Sequence, residues 1–284
     1  MKNDLLFGKE REKIIFPLII SDFDGTLVGN DGVIPLENRD AIVKYTQGGG
    51  KFVISTGRMP YAILPRIKEL GLKGIVSCAH GSLIMDAETG ATIVEGTIPT
   101  QVTVQICQKM EELGLHFHVY AKDEFYSNID NEREKRYEKA VRVKAKLVLE
   151  KPLSQFVLEN GICAYKVMAL VESTESMEVL GALSKCTFDG CVLTKSDDTL
   201  VEVVNAKYSK GTALEFLANY FEIPLEKTIA VGDQWNDIPM IEKASLGFAV
   251  KNADNRLKER AVVYDYSNAE SAVAKIIQQY AYQK

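Results

Sequence analysis

The stretch Ile14-Ile15-Phe16-Pro17-Leu18-Ile19-Ile20-Ser21-Asp22-Phe23-Asp24-Gly25-Thr26-Leu27 decides the fold. A short apolar run bounded by a turn signal reads as a buried strand. Buried parallel strands have this composition because both of their faces are covered. In an open α/β sheet, ligands bind just beyond the carboxyl ends of the strands. Asp22 and Asp24 would stand at that place. An Asp-Gly pair also serves as a plain turn, and acids often only solvate a loop. An EF-hand loop fits less well, because it needs its glycine at the sixth position and Gly25 is the fourth residue counted from Asp22.

Working outward, Val28-Gly29-Asn30-Asp31-Gly32-Val33-Ile34-Pro35 suggests a tight hairpin or flap. A helix follows over about Leu36–Gln47, stopped by Gly48-Gly49-Gly50. Phe52–Ser55 reads as a second buried strand, ending in Thr56-Gly57-Arg58. A hydroxyl, a glycine and an arginine at a strand end can serve a phosphate. An ordinary strand-to-helix turn explains the tripeptide as well. Ile75–Cys78 is a third strand, turned by Ala79-His80-Gly81-Ser82 into a hairpin of Leu83–Asp86 with Thr92–Glu95.

Near Thr97-Ile98-Pro99 the rhythm changes. A helix with Val102, Ile106, Met110 and Leu113 on one face precedes strands at His116–Ala121, Phe125–Ile129, Tyr165–Val171 and Cys191–Thr194. Charged residues mark a helix over about Asn131–Lys146, and a second lies near Met177–Leu183. Helices beside mostly antiparallel strands predict a separate α+β module, left near Thr199–Val204. The α/β rhythm then resumes. Lys210-Gly211 opens a helix with Ala213, Leu214, Leu217, Tyr220 and Phe221 on one face. Thr228–Val231 is another buried strand, ending in Gly232-Asp233-Gln234-Trp235-Asn236-Asp237. Short strands at Leu246–Val250 and Ala261–Tyr264 and a closing helix complete the chain.

With 284 residues, of which 46% are apolar, one large domain or two ordinary ones are expected. A formal charge of −5 argues against a general affinity for nucleic acid. The apolar runs are far too short for a membrane span. Met1–Lys13 is polar, so it reads as a loose lead-in or partly a short helix, not a secretory signal. The five cysteines form no C-x-x-C pair. They suit reduced thiols in a cytoplasm and argue against a zinc site.

Four edges thus carry polar groups: Asp22 with Asp24, Thr56, Lys210, and Asp233 with Asp237. Carboxylates gathered at one place repel unless a cation neutralises them. As hard oxygen ligands they suit Mg²⁺, and a lysine and a hydroxyl beside them are equipment for phosphoryl transfer.

Here the chain resembles the haloacid dehalogenase superfamily, in its Cof-type, sugar-phosphatase-like branch. The motifs Asp22-Phe23-Asp24-Gly25-Thr26, Ser55-Thr56-Gly57-Arg58, Lys210-Gly211 and Gly232–Asp237 stand in the family's order. Ala249-Val250-Lys251-Asn252-Ala253 and the large insert also match. The resemblance implies a doubly wound parallel-sheet, Rossmann-like core over 1–97 and 205–284, with an inserted α+β cap over 98–204 that chooses the substrate. It implies that Asp22 is a nucleophile forming an aspartyl-phosphate, and that Asp24 protonates the leaving alcohol and then activates water. Mg²⁺ would be held by Asp22, the backbone carbonyl of Asp24, and Asp233, with Asp237 in support. Thr56 and Lys210 would grip the phosphate, with Gly57, Asn236 and Asn252 as neighbours. The substrate would be a small phosphorylated metabolite, such as a sugar phosphate. The chain is expected to act in the cytoplasm, as a monomer or weak homodimer, without nucleic acid or membrane. A phosphomutase using the same aspartate and a non-catalytic phospho-ligand sensor are the rival readings. A signalling receiver domain is much shorter and has no place for the insert.

The chain also departs from the branch. His80-Gly81 stands where the branch has Asn-Gly, and His80 reads either as a substrate contact or gate or as a turn residue satisfied by backbone. Trp235 would pack on the cap or line the pocket, or serve plain core packing. His116 and His118 share one face of a strand; without a third ligand they read as surface or pocket lining. Arg133, Lys135, Arg136, Lys139, Arg142 and Lys144, diluted by Glu132, Glu134 and Glu138, read as a solvated face.

Overall fold

The computed structural model describes residues 12–29 and 31–283. The lead-in expected over Met1–Lys13 lies outside them, apart from Glu12 and Lys13. In chain order the core opens with β1 (Leu18–Ser21), α1 (Leu36–Gln47), β2 (Lys51–Ser55), α2 (Pro60–Glu69), β3 (Ile75–Cys78), β4 (Leu83–Asp86) and β5 (Thr92–Glu95). Then come α3 (Thr100–Glu112), β6 (His116–Tyr120), β7 (Phe125–Ser127), α4 (Glu132–Val141), β8 (Lys146–Leu147) and α5 (Leu153–Glu159). These are followed by β9 (Lys166–Leu170), α6 (Ser176–Ser184), β10 (Cys191–Asp197) and β11 (Leu200–Asn205). The chain ends with α7 (Lys210–Tyr220), β12 (Thr228–Gly232), α8 (Ile238–Lys243), β13 (Leu246–Ala249), α9 (Asn255–Lys258), β14 (Val262–Val263) and α10 (Ala272–Tyr280).

Two sheets result. The first runs β14-β13-β12-β1-β2-β3-β4-β5, parallel from β14 to β3 and closed by the antiparallel β4 and β5. Leu18, Ile19 and Ile20 of β1 are fully buried, as a strand covered on both faces must be. From β1 the chain winds outward through β2 and β3, then returns to β12 on its other side. The order therefore reverses at β1, and the crevice at such a switch point is where an α/β sheet binds ligands.

The second sheet runs β10-β11-β9-β6-β7-β8, antiparallel except for β7 with β8. It has its own apolar cluster, built on Phe117, Val119, Val167, Ala169, Val201 and Val203. The two connections to it touch: Asn205 Nδ2 donates to the Thr97 carbonyl at 2.8 Å. Among the described residues, no helix is long and apolar enough to cross a membrane.

Three expectations need refining or correcting. The way out of the second module near Thr199–Val204 is itself a strand: Leu200–Val204 pairs with β9 and with β10. The charged helix stops at Val141, because Arg142 turns left-handed (φ 60°) and Glu138 caps the end by accepting from the Ala145 N–H. The turn after Leu27 is closed by Gly29 N–H to the Val33 carbonyl at 2.8 Å, with no strand pair between its arms among the described residues.

Candidate active site

Asp22 follows the last residue of β1, and Asp233 follows the last residue of the neighbouring β12. Asp237 lies one short turn further on, in a 3₁₀ segment. Carboxylate oxygens of all three lie within 4.8 Å of one another, and all three residues are buried. Lys210, the first residue of α7, reaches in from the side. Its fully buried ammonium donates to Asp22 Oδ1 and, at 2.6 Å, to Asp237 Oδ1. Asp237 Oδ2 also accepts the backbone N–H groups of Asp233 and Gln234, both at 2.9 Å. Thr26 Oγ1 donates to Asp233 Oδ1 at 2.6 Å. Gly25 has φ 78°, and a methyl there would run into the Asp233 carboxylate, so the turn that presents the cluster needs glycine.

Three carboxylates against one ammonium leave two negative charges uncompensated. The titration behaviour reflects this. Burial pushes Asp22 up to about 7; Lys210 opposes that, while Asp237 and Asp24 add to it. Burial also raises Asp233 well above the usual carboxylate range, helped by Asp22 and Asp237. Burial works to lower Lys210, but its two carboxylate partners outweigh it and raise it. Without a cation the cluster therefore holds protons in its place.

Asp24 stands apart from the three. Its half-exposed side chain is forked by Arg58, with Nε to Oδ2 at 2.6 Å and Nη2 to Oδ1 at 2.9 Å. Thr56, at the end of β2, is buried, and its hydroxyl accepts the Arg58 N–H at 3.1 Å. These groups floor a cavity of about 300 Å³ that Asp22, Gly57 and Asn236 also line. Its other wall comes from the second sheet and α4, with Tyr120, Phe125, Tyr137 and Lys166. A space of this size, mostly apolar with a few convergent polar groups, fits a small ligand.

Residues 19–277 match the family model of haloacid dehalogenase-like hydrolases. The chain belongs to that family. Phosphatase YwpJ of Bacillus subtilis is 29% identical over 282 residues, covering 92% of this chain and 98% of the relative. A second B. subtilis protein, named 5-amino-6-(5-phospho-D-ribitylamino)uracil phosphatase YwtE, is 27% identical and covers 92% and 96%. A solved HAD/COF-like hydrolase from Plasmodium vivax superposes with a TM-score of 0.83 at 26% identity, covering 93% of this chain and 95% of that one. Family membership makes the chain an enzyme of the hydrolase class, and the named relatives are phosphatases.

Within this haloacid dehalogenase-like hydrolase the remaining sequence candidates separate. His80 is neither satisfied by backbone alone nor a lining residue of the cavity. It is buried at φ 57°, and its Nε2 lies 2.9 Å from Glu202 Oε2 on β11 of the other sheet. Histidine, like asparagine, enters the left-handed region more readily than most residues, which accounts for its standing in the Asn-Gly position. Glu202 also takes Lys166 Nζ at 2.7 Å. Burial opposes ionisation of Glu202, but His80 and Lys166 hold it well below the usual range. Sequence reasoning missed this bridge between the sheets, although one acid in the apolar run Leu200–Val204 was its signal. Asn236 meets the same ring, Nδ2 to Nδ1 at 3.2 Å, while its buried Oδ1 has no partner among the described residues. Gly57 leaves room for that ring too, since a Cβ would sit 2.5 Å from His80 Cε1.

Asn252 does not line the cavity: its amide donates to the Gly25 carbonyl at 2.8 Å and accepts from Asn268 N–H at 2.9 Å. It holds the Asp22–Thr26 turn through the Gly25 carbonyl. Trp235 packs between the sheets, its ring 3.6 Å from the Arg256 guanidinium carbon and 5.1 Å from Lys195 Nζ on β10. His116 and His118 are buried rather than at the surface or in the cavity, and Glu134 lies with them instead of on a solvated face. All five cysteines are free.

Proposed function

We propose that the protein is a Mg²⁺-dependent phosphatase of small phosphorylated metabolites, sugar phosphates or related monoesters, working through an aspartyl-phosphate on Asp22. The observation that carries the reading is the buried cluster of Asp22, Asp233 and Asp237 around one ammonium, short of two positive charges. That donor set, hard oxygens only, fits a magnesium ion held by Asp22 and Asp233 together with the Asp24 backbone carbonyl. Asp237, spent on Lys210 and two backbone donors, supports it. When bound, the ion supplies positive charge for the oxygens of the transferring phosphoryl group.

The chain's own groups do the rest. Lys210 aims Asp22 and works against its burial, and together with the bound ion it would keep Asp22 ionised, as a nucleophile requires. Thr56 and Lys210 hold the phosphate. An Asp22 oxygen bonds to phosphorus as the ester P–O bond breaks, and Asp24 gives its proton to the departing alkoxide. Asp24 then takes a proton from water, whose oxygen attacks the same phosphorus, releasing phosphate and restoring Asp22. Parking Asp24 on Arg58 suits this sequence: an incoming phosphate competes for the guanidinium and frees Asp24 to face the leaving group. The aromatic and lysine wall, 98–204 acting as a cap, would sort the alcohol part. The relatives' printed substrate, a phosphorylated ribityl compound, is of the proposed class.

The test separates the two aspartates. Asp22→Asn should lose at least roughly a thousandfold in rate. Asp24→Asn should lose about a hundred- to ten-thousandfold with alkyl phosphates. With p-nitrophenyl phosphate it should give a stoichiometric burst and leave phosphate trapped on the protein. A burst from Asp22→Asn and none from Asp24→Asn would reverse the roles. Release of free phosphate without isomer formation separates hydrolysis from a mutase.

A further inference from the structure

His116 and His118 alternate on β6 with Phe117 between them, so both rings leave one face of the strand. Ser127 stands opposite His118 in register on β7. Glu134, in the first turn of α4, is laid over that face. Its Oε2 receives His116 Nε2 at 2.7 Å, His118 Nε2 at 2.7 Å and Ser127 Oγ at 2.6 Å. His118 is fully buried and Glu134 is 1% exposed. Hydrogen bonds alone serve this knot poorly. Three donors crowd one oxygen, while among the described residues the buried Glu134 Oε1 has no partner. Buried polar atoms are rarely left so, because each costs its full desolvation.

We infer that His116, His118 and Glu134 form a transition-metal site of the zinc class in the second sheet, separate from the carboxylate cluster of the core. Their ligand atoms lie within 4.8 Å of one another. Two imidazoles with one carboxylate select a zinc-like ion over Mg²⁺, which prefers an all-oxygen shell. A cation between the rings takes a lone pair from each Nε2 and engages both oxygens of Glu134, including the bare one. Ser127 Oγ or a water completes the shell. Ligand distances of about 2.0–2.1 Å in a tetrahedral shell put ligand atoms about 3.3 Å apart, so the 2.7 Å contacts must open by roughly 0.6 Å. Each ring moves its hydrogen from Nε2 to Nδ1. For His118 that hydrogen meets Tyr120 Oη, now 3.2 Å from Nδ1, an orienting partner of the kind metal-bound histidines have.

The site has a consequence for the cavity. Tyr137, Ala140 and Val141, further along α4, wall the cavity, and so does Tyr120 of β6. The Tyr120 and Tyr137 hydroxyls are bonded to each other. Metal bound between β6 and α4 fixes that wall.

The test uses the whole protein, stripped with chelator and then titrated with Co²⁺ or Zn²⁺ in excess Mg²⁺, which occupies the all-oxygen cluster. Wild type should take one Co²⁺ per chain with the intense visible bands of a low-coordinate nitrogen site. Asp233→Ala should keep that signal. Glu134→Gln and His116→Gln should each weaken Zn²⁺ binding by at least about a hundredfold, beyond the loss from a missing orienting partner. They should also abolish the rise in melting temperature that Zn²⁺ gives wild type. If His116→Gln does not fold, the Co²⁺ spectrum of wild type and the near-isosteric Glu134→Gln still decide. Faint octahedral bands only, or Zn²⁺ bound equally by Glu134→Gln, would overturn the site and leave a hydrogen-bonded knot.

Discussion

Lys210→Met probes the charge balance of the cluster directly. The ammonium is fully buried and bonded to both Asp22 and Asp237. Removing one partner of a buried pair costs about 3–5 kcal/mol, because the other charge is left without compensation. With a urea m-value near 3 kcal/mol/M, suited to a chain of this size, the midpoint should fall by roughly 1–2 M. Asp22 sets the pH trend. Its folded value is raised from 3.8 to about 7, so the folded state binds more protons in that window and loses stability as pH rises through it. Without Lys210 the window reaches higher, so the loss measured in chelator should be greater at pH 8 than at pH 6. Adding Mg²⁺ should recover part of it. In an Asp237→Asn background, the same substitution breaks one pair fewer, so its cost should drop by about 1 kcal/mol or more. The assay is urea unfolding followed by circular dichroism. A midpoint within about 0.3 M of wild type, or the same cost in both backgrounds, would refute the reasoning.

Activity should vanish in chelator and return with Mg²⁺, and Asp233→Ala should weaken both rate and metal dependence, because a metal-facing oxygen is lost; a titration of initial rate against Mg²⁺ checks this. Gly57→Ala should destabilise by about 1–3 kcal/mol, since its methyl would land 2.5 Å from the His80 ring; unchanged thermal unfolding would mean that the ring yields freely. The bridge between the sheets should also weaken in acid. Burial holds His80 below its ordinary 6.5, against the pull of Glu202, so stability falls as pH drops below about 6.5. Glu202 is held below its ordinary 4.5, so its contribution goes only in stronger acid. Wild type should therefore lose more stability between pH 7 and pH 5 than His80→Asn; equal losses in urea midpoint would argue against it.

The first sheet was legible because its strands are short apolar runs that end abruptly in polar turns. β1 and β12 each stop at an aspartate, and β2 at Thr56. The second sheet was harder. In β11 the acid Glu202 interrupts an apolar run, so its composition does not announce a buried strand. α2 carries Pro65 inside it, and a proline there removes a helical hydrogen bond, so periodicity alone does not announce it. The charged helix was overextended because a charge pattern does not record where the chain turns left-handed, as Arg142 does.

The same distinction governs the site. Asp22, Asp233, Asp237 and Lys210 could be placed together because each sits at the end of an element, and parallel topology brings ends to one edge. Pairings across the molecule carry no such local rule. His80 and Glu202 are 122 residues apart, and neither neighbourhood names the other. What the sequence does contain is half of each pairing: a charged or titratable residue inside a run that must be buried. Glu202 within Leu200–Val204 is one case, and His118 within His116–Tyr120 is another. Such a residue is expensive to bury alone, so its presence demands an unseen partner. For Glu202 the partners are His80 and Lys166. For His118 the partner is Glu134, whose helical neighbours Lys135 and Glu132 are exposed and ion-paired to each other, which is why a solvated face seemed to suffice. The rule that follows is to count the compensation each buried charge requires. Applied to the core it asks for a divalent cation beside Lys210; applied to the second sheet it asks for more than two imidazole hydrogens on one oxygen of Glu134.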